Sequence, residues 1–146
     1  MSSVIEGTLK HALFLARHLN HCDYSTVVIL VLYELGVAPS LDGFSYLKKA
    51  IAMRYEDPTR HLENDIYSEL AGGRGGVEEN KRIAQSIRRS ISEAWGNRDE
   101  EVWSVFFPGT RNGLSVRPSN GDFIAGIAWF VELWQGCCKE VSCAKR

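Results

Sequence analysis

Hydrophobic residues recur along most of this chain at intervals of three or four, which is the spacing of one face of an α-helix. The stripe in residues 8–20 consists of Leu9, Ala12, Leu13, Ala16 and Leu19, and similar stripes follow in residues 44–55, 62–70, 78–95 and 123–134. Segment 24–35 is ambiguous, because its apolar run 27–33 would also suit a buried strand. A helix is favoured, since Asp23 or Ser25 can cap its start, Gly36 can end it, and no other segment offers a strand partner. The pattern predicts an all-α fold.

Helix-breaking residues divide these stripes into about six to seven helices. Residues 38–40 form a turn, after which Ser40 or Asp42 can cap the next helix, and Pro58 closes that helix. The run GGRGG at residues 72–76 is the strongest breaker and indicates a turn between two helices. Residues 110–118 form a polar loop, and Ser119 with Asp122 gives a capping arrangement for the last helix. From residue 136 onward we expect a frayed tail.

The helix predicted over residues 78–95 separates apolar from basic positions. Ile83, Ala84, Ile87, Ile91, Ala94 and Trp95 share one face, and Glu78, Lys81, Arg82, Gln85, Arg88 and Arg89 share the other. A helix, a tight turn and a second helix with a basic face are typical of a helix-turn-helix, whose second helix enters the DNA major groove. Arginine and glutamine can pair bidentately with base edges. An ordinary solvated helix fits the same pattern, and the carboxylates of Glu78 and Glu79 repel phosphates.

Composition limits the possible functions. The 146 residues suffice for one domain, and 17 Lys and Arg balance 18 Asp and Glu, giving a net charge of −1. A DNA-binding surface must therefore come from the local distribution of charge. No signal-peptide pattern begins the chain, and the longest apolar run has seven residues where a membrane helix needs about twenty. We expect a cytoplasmic protein with no membrane partner.

No pattern indicates catalysis or a cofactor. Three of the four cysteines lie in the C-terminal tail, with neither the spacing nor the nearby histidine of a zinc site, so reduced thiols are expected. The four histidines lack a carboxylate or cysteine in register for a metal. The run at residues 72–76 follows a helix and lacks the Gly-Lys-Ser/Thr ending of a phosphate-binding loop. The sequence therefore predicts a protein that is not an enzyme and binds no cofactor or metal.

Three blocks resemble one family in order and in approximate spacing. They are ELGVAPSLDGFSYLKKAI at residues 34–51, SIRRSISEAW at residues 86–95 and RPSNGDFIA at residues 117–125. Together they resemble the C-terminal DNA-binding effector domain of the stage-zero sporulation response regulator of endospore-forming bacteria. The resemblance covers about residues 24–135.

The resemblance implies an all-α domain with a positioning helix near residues 62–72 and a recognition helix near 78–95. By position, Arg82 corresponds to a base-contacting arginine and Arg88 to a phosphate-contacting one. The implied partners are duplex DNA, bound as a homodimer or a tandem dimer, and RNA polymerase through its sigma subunit. The candidate DNA contacts are Arg74, Lys81, Arg82, Gln85, Arg88, Arg89 and Arg117, and a candidate polymerase-contact patch comprises Trp103, Phe106 and Phe107.

The chain also departs from the family pattern. Ala84 and Gln85 replace a glutamate and an arginine, the turn is glycine-rich, and a lysine-rich loop before the last helix is mostly lost. Residues 1–23 are expected to form an extension with an extra helix, too short for a receiver domain, so control by phosphorylation is not expected. Residues 136–146 are expected to form a flexible tail.

The leading hypothesis is a DNA-binding transcriptional regulator. The alternative is an interaction module that modulates a full-length regulator or polymerase without strong DNA binding.

Overall fold

The computed structural model describes residues 2–20, 22–73, 76–108 and 116–144. Within these ranges the chain forms seven helices and no strand, which confirms the all-α prediction. Six of them are α1 (Ser2–Leu19), α2 (Tyr24–Leu35), α3 (Asp42–Glu56), α5 (Val77–Gly96), α6 (Glu100–Phe106) and α7 (Asn120–Ala144). The remaining helix, α4, is a π-helical segment, Leu62–Tyr67, continued by one α-helical turn, Ser68–Leu70. None of the described helices combines the length and hydropathy needed to cross a membrane.

Helix α2 begins and ends at residues predicted from the sequence. The Asp23 carboxylate accepts a hydrogen bond from the Thr26 amide at 3.1 Å, which is an N-cap. Gly36 ends the helix with φ of 86°, a left-handed conformation that favours glycine. Between these ends, Val27, Val28, Val31 and Leu32 are fully buried because α2 packs against α3, α6 and α7. Burial on several sides explains the continuous apolar run that made this segment ambiguous.

The start of α3 differs from the prediction. Neither Ser40 nor Asp42 caps it; Leu41 occupies the N-cap position and makes no side-chain capping bond. Asp42 is instead the first helical residue, where a carboxylate interacts favourably with the helix dipole. The core lies where α3, α5 and α7 pack together, and Ile51, Ile87 and Ile127 are fully buried there.

Helix α1 packs against α6 and α7 as an integral part of the core. It begins at Ser2, six residues before the predicted start. Ala12 and Ala16 are fully buried, and these small side chains let the helices approach closely. The Thr8 hydroxyl donates to the Val105 carbonyl at 2.5 Å, and His11 Nε2 lies 2.8 Å from Glu34 Oε2 on α2.

The expectation of a frayed tail from residue 136 is wrong through residue 144, which the structure assigns to α7. Gly136 lies inside this helix, and the next residue, Cys137, is only 6% exposed. Cys138 and Val141 also pack against the core, and this packing stabilises the last turns. Burial raises the pKa of the Cys137 and Cys138 thiols, which favours their neutral form. Residues 145 and 146, and most of the polar loop predicted over 110–118, lie outside the described residues.

Candidate nucleic-acid interface

Helix α4, which precedes α5, starts with an unusual turn. The amides of Asp65 and Ile66 both donate to the His61 carbonyl at 3.0 Å, and the Asp65 carboxylate accepts from the His61 amide at 2.8 Å. Across the helix, Arg60 Nη2 lies 2.9 Å from Glu69 Oε1, and this carboxylate raises the pKa of Arg60. The predicted positioning helix over 62–72 is therefore present, but it starts as a π-helix and ends at Leu70.

Two glycines make the turn between α4 and α5 possible. Gly72 and Gly73 have φ values of 87° and 78°, which residues with a Cβ rarely adopt. The Gly73 amide donates to the Ser68 carbonyl at 2.8 Å and ends α4. This explains the glycine-rich sequence at the break. The candidate contact Arg74 lies outside the described residues.

Helix α5 is held by the face that the sequence predicted. Ile83, Ile87, Ile91 and Ala94 are buried, whereas Ala84 and Trp95 are only partly buried. Ser90 is also buried, and Gly43 of α3 packs directly against it. A Cβ at Gly43 would lie 2.5 Å from the Ser86 carbonyl oxygen and closer still to Ser90 Oγ, so only glycine permits this approach.

The exposed side of α5 and the start of α7 enclose a cavity of about 530 Å³, which we call the basic groove. It is lined by Lys81, Ala84, Gln85, Arg88, Arg117, Ser119 and Asn120. Three of these described residues are cations and none is acidic. Lys81 and Arg88 are exposed and form no ion pair with any described residue. The groove can therefore accept an anion, such as a phosphate, without first breaking a salt bridge at either residue.

The basic groove is completed by Arg117, which lies three residues before α7, and by Asn120, the first residue of α7. The Arg117 guanidinium donates a hydrogen bond to the Ser92 hydroxyl, which fixes it against α5. Asn120 Nδ2 donates to the Ala84 carbonyl at 2.9 Å and to the Tyr67 hydroxyl at 3.0 Å. These bonds tie α7 to both α4 and α5. As predicted, Ser119 caps α7, accepting from the Asp122 amide at 3.1 Å.

The other flank of α5, which we call the Arg82 flank, consists of Arg82 and Arg89. Their side chains are 74% and 73% exposed. Arg82 lies 3.7 Å from Glu79, and Arg89 lies 3.6 Å from Glu93. Exposed pairs of this kind are worth about 0–1 kcal/mol, so both guanidinium groups remain available to a ligand.

The structure brings together four of the predicted contacts, Lys81, Gln85, Arg88 and Arg117, and places Arg82 and Arg89 on the opposite flank. Sequence reasoning missed Asn120 as a structural link and Ser119 as a groove residue. Asn120 belongs to a sequence block that resembles the family, but its role depends on how α7 packs against α5. Periodicity within one helix does not carry that information.

The aromatic patch suggested as a polymerase contact is not a surface. Trp103 and Phe106 are 2% and 1% exposed, which corrects the prediction for both residues. Trp103 Nε1 donates to the Leu35 carbonyl at 3.1 Å, and the Phe106 ring packs edge-on against Phe130 at 4.8 Å. Phe107 is partly buried over Gly126 of α7.

Part of this burial comes from α1, whose His11 ring lies 5.5 Å from the Phe106 ring. The exposed residues of α6 are instead the acidic Glu100 and Glu101.

Among the residues that the structure describes, no group of three or more histidine, cysteine or acidic side chains could hold a metal ion.

The sequence of most of this domain matches a known protein family. The family model described as the sporulation initiation factor Spo0A C terminal covers residues 28–131, from the first turns of α2 into the middle of α7. The match includes α4, the glycine turn, α5 and every residue of the basic groove. Because it covers more than two thirds of the chain, the protein belongs to the Spo0A C-terminal domain family.

Proposed function

We propose that this chain is a transcriptional regulator that binds duplex DNA by placing α5 in the major groove. The observation that carries the proposal is the basic groove beside α5, where three cations lie and no described lining residue is a carboxylate. Membership of a family named for a sporulation initiation factor supports this function. A net charge of −1 makes the clustering of these cations informative, since the chain as a whole does not attract DNA.

The two flanks of α5 suit different parts of the DNA. The basic groove suits backbone phosphates, because its cations face no acidic neighbour among the described lining residues. The Arg82 flank suits base edges, since hydrogen bonds to neutral bases are weakened less by Glu79 and Glu93 than contacts with phosphates are. We therefore assign Lys81, Arg88 and Arg117 to phosphates and Arg82 to bases. Gln85 lines the basic groove, but its neutral amide suits a base edge better than a phosphate, so we assign it to bases as well.

The proposal is tested by fluorescence anisotropy with a labelled random-sequence duplex of about 30 base pairs at 50 and 200 mM salt. Three phosphate contacts give a slope of log K against log salt of about −2.7, so affinity should fall about 40-fold between these concentrations. Lys49→Gln removes an exposed cation of α3 outside the groove and should change the slope little. Absence of binding at 50 mM would refute the proposal and favour the interaction-module alternative.

A selection of bound sequences from a random DNA pool would then identify the operator. Titration at a concentration far above Kd gives the number of chains per duplex, which tests the expected dimer or tandem dimer. A contact with the polymerase sigma subunit, if α6 makes it, would use the exposed Glu100 and Glu101 in place of the buried aromatic residues.

A further inference from the structure

A second groove lies between α1 and the C-terminal half of α7. It has a volume of about 370 Å³ and is lined by Leu9, Trp129, Glu132, Leu133, Gly136, Cys137 and Glu140. We call it the acidic-rimmed groove. It shares no described lining residue with the basic groove, and Trp129 alone of its lining residues falls within the family match. The segments that flank the matched domain therefore build most of this surface.

The floor of the acidic-rimmed groove is apolar and open. Leu9 is 46% exposed and Trp129 is 44% exposed, although residues of this size are usually buried in a folded domain. Ile5, one helical turn before Leu9, is 50% exposed. Apart from its chain neighbours and the backbone of α7, no described atom lies within 4 Å of the position that a Cβ on Gly136 would occupy. Adjacent exposed apolar side chains around an open floor are typical of a surface that another molecule covers.

The charged residues that line this groove are all of one sign. Glu132 and Glu140 line it, and no lysine or arginine of the described ranges does so. These two carboxylates are eight residues apart on α7, which corresponds to about 12 Å along the helix axis. The Cys137 thiol is neutral, because burial and the charge of Glu140 raise its pKa. A complementary ligand needs an apolar face flanked by positive charges about two helical turns apart.

Two other occupants fit these charges poorly. A second copy of the chain, paired across a two-fold axis, would place the same patch on both sides. Glu132 and Glu140 would then face a surface whose lining charges are again Glu132 and Glu140. A membrane surface rich in anionic lipid would be repelled by the same carboxylates.

We propose that the acidic-rimmed groove binds an amphipathic helix of a partner protein, with leucine-like side chains on its apolar face and lysine or arginine about two turns apart beside that face. Binding of an amphipathic helix in an apolar groove is a common mode of peptide recognition. The Trp129 ring provides the apolar contact, and Glu132 and Glu140 select the charge of the bound helix and its alignment along α7. This interaction is independent of DNA binding at the basic groove.

The test uses two fluorescein-labelled helical peptides of about 18 residues, or five helical turns, that differ only in charge. One has leucines at helical spacing with flanking lysines, and the other has glutamates in place of those lysines. We expect the lysine peptide to bind the intact chain in an anisotropy titration and the glutamate peptide not to bind. Trp129→Ser should weaken binding of the lysine peptide roughly 30-fold, the loss expected for a central tryptophan.

Charge reversal gives a readout that a folding defect cannot imitate. The double variant Glu132→Lys/Glu140→Lys should no longer bind the lysine peptide and should bind the glutamate peptide. Phe14→Ser, which removes a 55% exposed aromatic from α1, and Glu101→Lys on α6 are matched controls that should leave both titrations unchanged. Circular dichroism checks the fold of each variant, and Leu9→Ser replaces Trp129→Ser if the latter unfolds.

Three results would overturn the proposal. The first is no binding of the lysine peptide at millimolar concentration. The second is binding that neither Trp129→Ser nor the charge reversal alters. The third is self-association in analytical ultracentrifugation that Trp129→Ser abolishes, which would identify a second copy as the occupant.

Discussion

The two flanks of α5 carry similar side chains but face different neighbours. On one flank, the segment that leads into α7 adds Arg117 to the cations of α5 and encloses the basic groove. On the other flank, the start of α3 approaches, and its Asp42 lines a cleft of about 190 Å³ together with Arg89. The helix's own Glu79 and Glu93 also lie on this flank.

Under the proposed function, this difference separates affinity for DNA from specificity for its sequence. Contacts with phosphates depend on net positive charge and on the counterions that the DNA releases when cations bind. The proposal therefore places them on the flank whose described lining holds no carboxylate. Contacts with bases depend on hydrogen-bond geometry, and nearby carboxylates can hold an arginine in place for them. Under this proposal, similar arginines have different roles because different helices pack beside them.

The largest effect should come from Gly43→Ala, because it displaces α5 and thereby disturbs both flanks together. The new Cβ would overlap the Ser86 carbonyl and Ser90 Oγ, and the backbone oxygen cannot move aside. We expect a loss of about 3 kcal/mol in the free energy of unfolding, at the upper end of the range for overpacked cores. Urea denaturation measures it.

Gly7→Ala is the matched control for this variant. Gly7 lies inside α1, and apart from its chain neighbours and the backbone of its own helix, no described atom lies within 4 Å of the position that an alanine methyl would take. Alanine there should therefore stabilise the helix by about 0.5–1 kcal/mol. Equal stability of the two variants would contradict the close packing of α3 on α5.

The second largest effect should come from a double substitution that is confined to the basic groove. Arg88→Gln/Arg117→Gln removes two of its three cations and should lower affinity for every duplex about 50-fold at 0.1 M salt, with a slope smaller by about 1.8. Anisotropy at a series of salt concentrations measures both quantities. The matched variant Arg82→Gln/Arg89→Gln should change the slope less. Equal slopes for the two variants would remove the distinction between the flanks.

Much of the arrangement of α5 could be predicted from the sequence, because it depends on residues close together in the chain. The spacing of Ile83, Ile87 and Ile91 defines the buried face, and Gly72 and Gly73 define the turn. Such signals need only helical geometry and backbone sterics.

The groove could not be predicted in the same way. Arg117 and Asn120 meet α5 through contacts with Ser92 and Ala84, which are 25 and 36 positions away in the chain.

The prediction for Trp103 and Phe106 was wrong because an aromatic stripe looks the same in the sequence whether its helix faces solvent or is covered by another helix. Here α1 covers part of it, and its packing on α6 and α7 is not encoded in the stripe itself.

The third effect tests the Arg82 flank for sequence selectivity. Arg82→Ala should cost about 1.5 kcal/mol on the selected operator, in the lower part of the range for a base contact, and much less on random duplex. The nearby Glu79 weakens the local positive charge, which is why we expect the lower part of the range. Competition between operator and random duplex measures the difference. A loss of equal size on both DNAs would show that Arg82 contacts phosphate.

The smallest effect should come from removing a carboxylate from the Arg82 flank. Glu93→Gln releases Arg89 from its exposed pair and removes a negative charge that repels phosphates. Affinity for random duplex should rise about twofold to threefold, which matches an exposed pair worth about 0.5 kcal/mol. Stability should not fall, because Glu93 lies in the last turn of α5, where the helix dipole disfavours a negative charge.

Glu101→Gln on α6 makes the same change in net charge away from α5 and is the control for Glu93→Gln. If the two variants raise affinity equally, the repulsion comes from the charge of the whole chain. If only Glu93→Gln raises it, the carboxylates beside Arg89 act locally, and the Arg82 flank is attenuated by its neighbours while the basic groove is not. Each titration needs low salt, since exposed charges are screened beyond about 10 Å at 0.1 M.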